Sequence, residues 1–361
     1  MSGRMKRFGA ILTVWMTMIP AFGDSQQIIE NPEKPLAKNA GRVLKVQEIW
    51  RITDAGGEFY FRYPDRLHLA ADGSFFLADR DELLKFSADG KFLKNLFKKG
   101  QGPGEIGSSF TYLLAGDELY VKDYSQRRIF RMDLDGIYLG QLDAAMARNT
   151  LLGVRQDGYL FIESVWPPES EQTGKLLPIT DTVKLVSKGG KSVRDLHVFK
   201  TRWFMAGQSA AQWDLNFEAL NDDGKLLFGS HSREYLVEVI DLERTETAVR
   251  FRRAYPRVKY VEEKWEGNFR RLGLPDIEYE SDILELYVNR DRLWIKTSTA
   301  DSKKGSLFDV FDFSGRYTDC FYLGPGRTLL KARGDEIFVT EKNADESIVL
   351  VKYRIVREGE R

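Results

Sequence analysis

Charged and aromatic side chains stand at the ends of short apolar runs. Asp79 and Arg80 follow Phe75-Phe76-Leu77-Ala78, while Asp123, Tyr124 and Arg127 follow Leu119-Tyr120-Val121-Lys122. Glu163 follows Leu160-Phe161-Ile162, and Glu341 follows Ile337-Phe338-Val339-Thr340. Glu58 and Glu105 stand in glycine-rich loops, with Gln101 and Arg327 in loops of the same kind and His231 after another apolar run. Three uses suit these residues. Asp79, Asp123 and Glu163, if brought to one point, would offer a hard all-oxygen site for a calcium-like ion. Such an ion would support a hydrolase or lyase. Glu58, Asp79, Arg80, Glu105, Asp123, Tyr124, Arg127 and Glu163 would also suit a surface that recognises a protein, peptide or glycan. The third use is structural, because carboxylates at strand ends pair with neighbouring cations or loop amides.

Other chemistries lack their residues. His68, His197 and His231 are the only histidines and have no ligand spacing, which leaves no histidine metal site. Gly207-Gln208-Ser209-Ala210-Ala211 lacks the second glycine of a hydrolase nucleophile elbow and reads as a loop. Gly102-x-Gly104-x-x-Gly107 spells a dinucleotide fingerprint, but Pro103 occupies the loop and a strand-like Phe110-Thr111-Tyr112-Leu113-Leu114 follows it instead of a helix. Cys320 is the sole thiol, sits in a strand-like alternation and reads as a buried small hydrophobe. The 54 basic and 54 acidic residues cancel, so no basic excess exists to hold nucleic acid.

The apolar runs are parts of one repeated phrase, a tight turn followed by an apolar-aromatic strand with a polar end. Its turns are Asp72-Gly73, Gly116-Asp117, Asp157-Gly158, Asp223-Gly224, Asn289-Arg290-Asp291 and Gly334-Asp335. Turn chemistry tolerant of positive φ before a β-prone run is a hairpin signal, and its recurrence marks a repeat fold. The six strands start at 75, 119, 160, 226, 293 and 337, a spacing of 41 to 44 residues apart from gaps of 66 and 67. Four-stranded blades need about 40 to 45 residues. The chain therefore reads as all-β, a six-bladed β-propeller over residues 43–356 with insertions at about 164–213 and 254–281. Within the second insertion, Val258, Val261, Trp265, Phe269 and Leu272 fall three or four apart, which predicts a helix near 256–272. Trp166, Trp203 and Trp213 mark the first insertion, as a platform for a ligand or as anchors to the propeller wall.

After Ile337–Glu341 only Ser347–Val356 remains, so the last blade lacks its outer strand. Val43–Ile52 can supply it and close the ring. Arg4, Lys6 and Arg7, the apolar Phe8–Ile19 and the small residues Ala21 and Gly23 read as a cleaved signal peptide over 1–23. Residues 24–42 read as a flexible leader and 357–361 as a tail. With no cysteine directly at the cleavage site to take a lipid and no later apolar stretch long enough to span a membrane, the expected product is a secreted or periplasmic monomer.

Leu119 to Gly136, with its Asp123, Arg128-Ile129 and Gly136, resembles an NHL repeat. The Gly100–Glu105 loop, Leu293-Trp294-Ile295 and Arg354-Ile355 are similar to exported bacterial six-bladed propellers of that group. The resemblance implies a binding or scaffold role for the loop face, and related propellers that place a metal in the central channel imply lactonase or lyase chemistry as the alternative.

Overall fold

The computed structural model describes residues 27–53, 57–168, 175–206, 209–212, 214, 218–261 and 278–356. The signal peptide, the tail, Trp213 and residues 262–272 of the expected helix lie outside them.

Three strands come first, β1 (Ile28–Asn31), β2 (Arg42–Val43) and β3 (Val46–Ile52). Six sheets follow. Blade 1 holds β4 (Pro64–Leu69), β5 (Phe75–Asp79), β6 (Glu82–Phe86) and β7 (Phe92–Asn95). Blade 2 holds β8 (Phe110–Ala115), β9 (Glu118–Asp123), β10 (Arg128–Asp133) and β11 (Tyr138–Gln141). Blade 3 holds β12 (Thr150–Val154), β13 (Gly158–Val165), β14 (Lys175–Ser187), β15 (Val193–Ala206) and β16 (Ser209–Gln212). Blade 4 holds β17 (Glu218–Leu220), β18 (Leu226–His231), β19 (Leu236–Asp241) and β20 (Glu246–Arg253). Blade 5 holds β21 (Ile283–Asn289), β22 (Arg292–Asp301), β23 (Gly305–Asp312) and β24 (Tyr317–Tyr322), and blade 6 holds β25 (Thr328–Arg333), β26 (Glu336–Lys342) and β27 (Ile348–Ile355). Neighbours within each blade are antiparallel. The fold is a six-bladed β-propeller, and among the described residues its only helical element is the 3-10 turn Met146–Arg148.

Alternation along the second strands explains the repeated phrase. Phe75 and Leu77 pack into the seam between blades 6 and 1, while Phe76 between them packs into the seam between blades 1 and 2. Leu119/Tyr120/Val121, Leu293/Trp294/Ile295 and Ile337/Phe338/Val339 divide in the same way, the aromatic facing the next blade. The phrase slips by one residue in blades 3 and 4. There Leu160 and Ile162 face blade 4 and Phe161 faces blade 2, while Leu227 faces blade 3 and Phe228 faces blade 5. A slip of one residue moves a side chain to the opposite sheet face, so these two copies share the composition of the phrase but not its phase. The apolar core is divided among six clusters, one at each seam, including that between blades 6 and 1.

Closure uses β3, which pairs antiparallel with β27 from Val46↔Ile355 to Ile52↔Leu350. Val43, expected in this strand, belongs instead to β2, which runs parallel to β24. The leader is also paired: β1 runs parallel to β20, and the Leu36 and Ala37 amides donate to the Tyr317 and Thr318 carbonyls. Outer strands carry free amides and carbonyls along one edge, and an extended segment passing them satisfies both sides. Asn31 fixes this strap, donating to the Arg252 and Gly315 carbonyls and accepting from the Tyr317 amide at 2.9 Å.

The first expected insertion is largely blade 3 grown taller. β14 and β15 run for 13 and 14 residues, and β16 adds a fifth strand; Ser209, expected in a loop, opens β16. In the second, Pro256–Val261 is not helical. It pairs with the returning chain through Lys259↔Tyr279, with the Tyr260 amide donating to Glu278 at 3.0 Å.

Candidate binding face

One face of the ring collects the turns between second and third strands together with the crossings from blade to blade. The expected site residues all lie there, in three physical situations. The first is burial as a latch. Asp79 is 2% exposed and accepts from the Arg62 and Tyr63 amides at 2.6 and 2.7 Å, which ties the end of β5 to the segment entering β4. Burial pushes its carboxyl up, against the pull of those two amides. Asp123, 0% exposed, accepts from the Gly107 and Gln126 amides, from Ser125 Oγ and from Gln126 Nε2, at 2.6 to 3.1 Å. Gly107 must be glycine, because a Cβ there would fall on Ser125 Oγ. Replacing Asp123 would strand several donors, at about 1–3 kcal/mol each. Such a variant reports on stability before it reports on binding.

Glu105 is likewise internal to its loop, with Oε2 accepting from the Gly102 amide at 2.7 Å. Arg128 and Gln126 stitch this crossing by donating to the carbonyls of Glu105 and Gly100 at 2.6 and 2.8 Å. The Gly102–Gly107 spacing thus serves a blade crossing, with Gly104 at φ 74.

The second situation is ion pairing. Glu163 meets Lys184 Nζ at 2.5 Å. Glu341 accepts from Arg327 Nε at 2.7 Å, the Tyr353 hydroxyl at 2.8 Å and Arg51 Nη2 at 3.1 Å. Burial alone would raise the Glu341 carboxyl, but these donors outweigh it and hold it low. Asp79, Asp123 and Glu163 stay in separate blades, and the described residues contain no group of three or more His, Cys, Asp or Glu able to hold a metal.

The third situation is exposure. Arg80 lies over the Tyr63 ring at 4.3 Å, Lys122 over Tyr124 at 4.9 Å and Arg257 over Tyr279 at 4.7 Å. Tyr63 is 63% exposed and Tyr124 46%. Trp166, 38% exposed at the foot of the tall blade, packs edge-to-face on Trp203 at 5.1 Å. Glu58 and Arg127 are exposed beside these pairs. Tyr63 gave no motif signal; it comes beside Arg80 only through the fold.

Glu218 on β17 was absent from the sequence reading. Burial, joined by the charge of Asp181, pushes its carboxyl up to about 8 from the usual 4.5. Ionising Glu218 therefore costs the folded state, whose stability is full in acid and falls as pH rises from 4.5 toward 8. Thermal melts across that range should show Glu218→Gln more stable than wild type on the alkaline side and indistinguishable in acid. A gain independent of pH would contradict this assignment.

Comparisons with known proteins agree on the fold. The DUF5128 family model, described as a 6-bladed beta-propeller, matches residues 57–193. No curated protein matches the chain. A Bacteroides fragilis NCTC 9343 protein inferred to be exported aligns with a TM-score of 0.57 at 11% identity, covering 92% of this chain and 100% of its own. A DUF4221 protein from Bacteroides vulgatus ATCC 8482 aligns at 0.53 and 8% identity, covering 88% and 99%. A gluconolactonase from Xanthomonas campestris aligns at 0.45 and 14% identity over 90% and 98%, too distant to speak to function. At these identities the likeness is one of architecture: the chain is similar over residues 57–193 to the DUF5128 propellers, and its fold is theirs.

Proposed function

We infer that this propeller is an exported binding module that holds a protein, peptide or glycan partner on the crossing face. The observation that carries the reading is the separation of roles on that face. Asp79, Asp123, Glu105 and Glu163 are consumed by amides and cations, whereas Tyr63, Tyr124, Trp166 and Arg80 are left at the surface. Exposed Tyr, Trp and Arg are the residues from which recognition surfaces draw most of their energy. Tall blade 3 adds a wall beside them. The charged start, apolar run and small residues of 1–23 support delivery outside the cytoplasm. A metal-dependent hydrolase would require Asp79 and Asp123 to release the amides that they hold.

Photo-crosslinkers placed at Tyr63 and at Tyr124 in the source cells test the reading, with Arg290 and Arg333 on the opposite face as controls. A discrete adduct from the crossing face alone is expected. Tyr63→Ala combined with Tyr124→Ala should weaken that partner about tenfold or more without moving the melting temperature. Adducts from the opposite face alone, or a partner indifferent to both alanines, would overturn the assignment.

A further inference from the structure

The first strands of the blades line the axis of the ring, with β4 against β8, β8 against β12, β17 against β21, β21 against β25 and β25 against β4. On the face opposite the aromatic rim, this channel opens into a cavity of about 860 Å3 walled by blades 1, 2, 5 and 6 with Asp222 of blade 4. That volume falls in the range of small-molecule sites. Its lining is dominated by cations: Lys331, Arg333, Arg290 and Arg354.

The acids of the wall neutralise only part of this charge: Asp335 pairs with Arg290 at 3.9 Å, and Glu336 is taken by Lys352 at 2.9 Å. Among the described residues, the side chains of Lys331, Arg333 and Arg354 make no hydrogen bond and no ion pair, and Asp222 is exposed at the mouth. Lys331 and Arg333 stand two apart on β25, so both face the same side of the strand. Burial lowers the basicity of Lys331, Asp222 restores part of it and Arg333 opposes it. His68, on the same wall, is pushed down to about 3 by burial, with Lys331 and Arg66 adding to the effect, so it is neutral near pH 7 and stands edge-to-face on Tyr112 at 5.0 Å. An ammonium in a confined channel with only the exposed Asp222 to oppose its charge is costly, and low-dielectric walls focus the resulting field on whatever enters.

We propose that this cavity binds a small polyanion, a molecule bearing two or more phosphate or carboxylate groups. Lys331 meets the innermost anionic group, and the guanidinium forks of Arg333 and Arg354 meet the outer one, a geometry that suits the paired oxygens of either group. His68 supplies a neutral donor or acceptor beside them. The site is independent of the aromatic rim, and neither requires the other to be occupied.

Calorimetric titration of the intact protein at low ionic strength tests this, with inorganic pyrophosphate and citrate as probes and maltose as a neutral control. One saturable site for pyrophosphate or citrate and none for maltose is expected. The tighter of the two probes identifies the phosphate or the carboxylate class. Lys331→Met and Arg333→Gln should each weaken that probe about tenfold, the scale of one charge-assisted contact. Arg333 is exposed, so its variant stays folded where a channel substitution fails to. Asp222→Asn should tighten binding. The proposal falls if neither anion binds up to millimolar concentration, or if the Arg333→Gln protein binds as wild type does.

Discussion

Deleting Val46–Ile52 should abolish cooperative unfolding altogether. β3 is the outer strand of blade 6, and among the described residues this seven-residue strand alone pairs with the outer edge of β27. It is also a packing element of the last seam. Trp50 stacks on Phe75 at 5.5 Å with ring planes 9° apart and meets Phe338 edge-on at 5.7 Å, while Ile52 is buried with Phe75, Phe86 and Leu350. Blade 1 therefore touches blade 6 partly through a strand from the other end of the chain. The lost ladder and aromatic contacts together are comparable with the 5–15 kcal/mol that keeps a typical domain folded. A flat thermal melt with dye binding to exposed apolar surface is the expected result. Trp50→Ala gives the graded version, costing about 3 kcal/mol, at the low end for aromatic truncation because the ring is half-buried. A deletion protein that melts in one transition near the wild-type temperature would refute closure by β3.

Asp309→Ala should be the most damaging single substitution, at about 3–5 kcal/mol. Asp309 is 0% exposed between blades 4 and 5 and accepts from Arg253 Nε at 2.7 Å, from the Tyr317 hydroxyl at 2.6 Å and from the Tyr235 hydroxyl. Burial pushes the carboxyl up, and Arg253 and the two hydroxyls offset that only in part. Arg253 is clasped in turn by the rings of Tyr235, Tyr255 and Tyr317 at 4.8 to 5.1 Å. Removing the acid leaves a guanidinium in an aromatic box with no counter-charge. Arg253→Met joined to Asp309→Leu should recover much of the loss, short of all of it because two hydroxyls lose their acceptor. Denaturant melts of the single and double variants measure the difference. Equal destabilisation would show that the charge imbalance is not what matters at this seam.

The number of blades and the source of the closing strand were legible in the sequence because both rest on local chemistry. Turn residues tolerant of positive φ recur before the second strands, and Gly73, Gly116, Gly224, Arg290 and Gly334 take φ between 55 and 85° there. Phase was harder to read. Tyr159-Leu160-Phe161 and Leu226-Leu227-Phe228 carry apolar residues on both sides of the strand, so composition alone could not say which side met which blade. The strap at β1 and β2 was illegible for another reason. Its pairing depends on edges supplied by β20 and β24 more than 200 positions away, and Ile28–Asn31 has no alternation of its own.

The face of the candidate site could be read, since strand order puts the crossings and the second-to-third turns on one side. The roles within it could not. An aspartate that latches a loop and one that meets a ligand have the same spacing, and Asp79 and Asp123 are told apart from a ligand set only by the amides aimed at them. The polyanion cavity left no phrase at all, because His68, Asp222, Arg290 and Lys331 come from four blades and meet only around the axis.

The strap and β3 also set a timetable. The segment Ile28–Ile52 finds its partners on strands made more than 200 residues later, β20, β24 and β27. Contacts of such long sequence separation make folding slow, since the intervening loop must be closed before any of them forms. Until Ile355 has been synthesised, a nascent chain carries bare strand edges and a seam with one wall missing. Such a chain stays compatible with passage through a narrow channel and exposed to wrongful pairing with its neighbours, and it gains a finished ring only when the two ends meet.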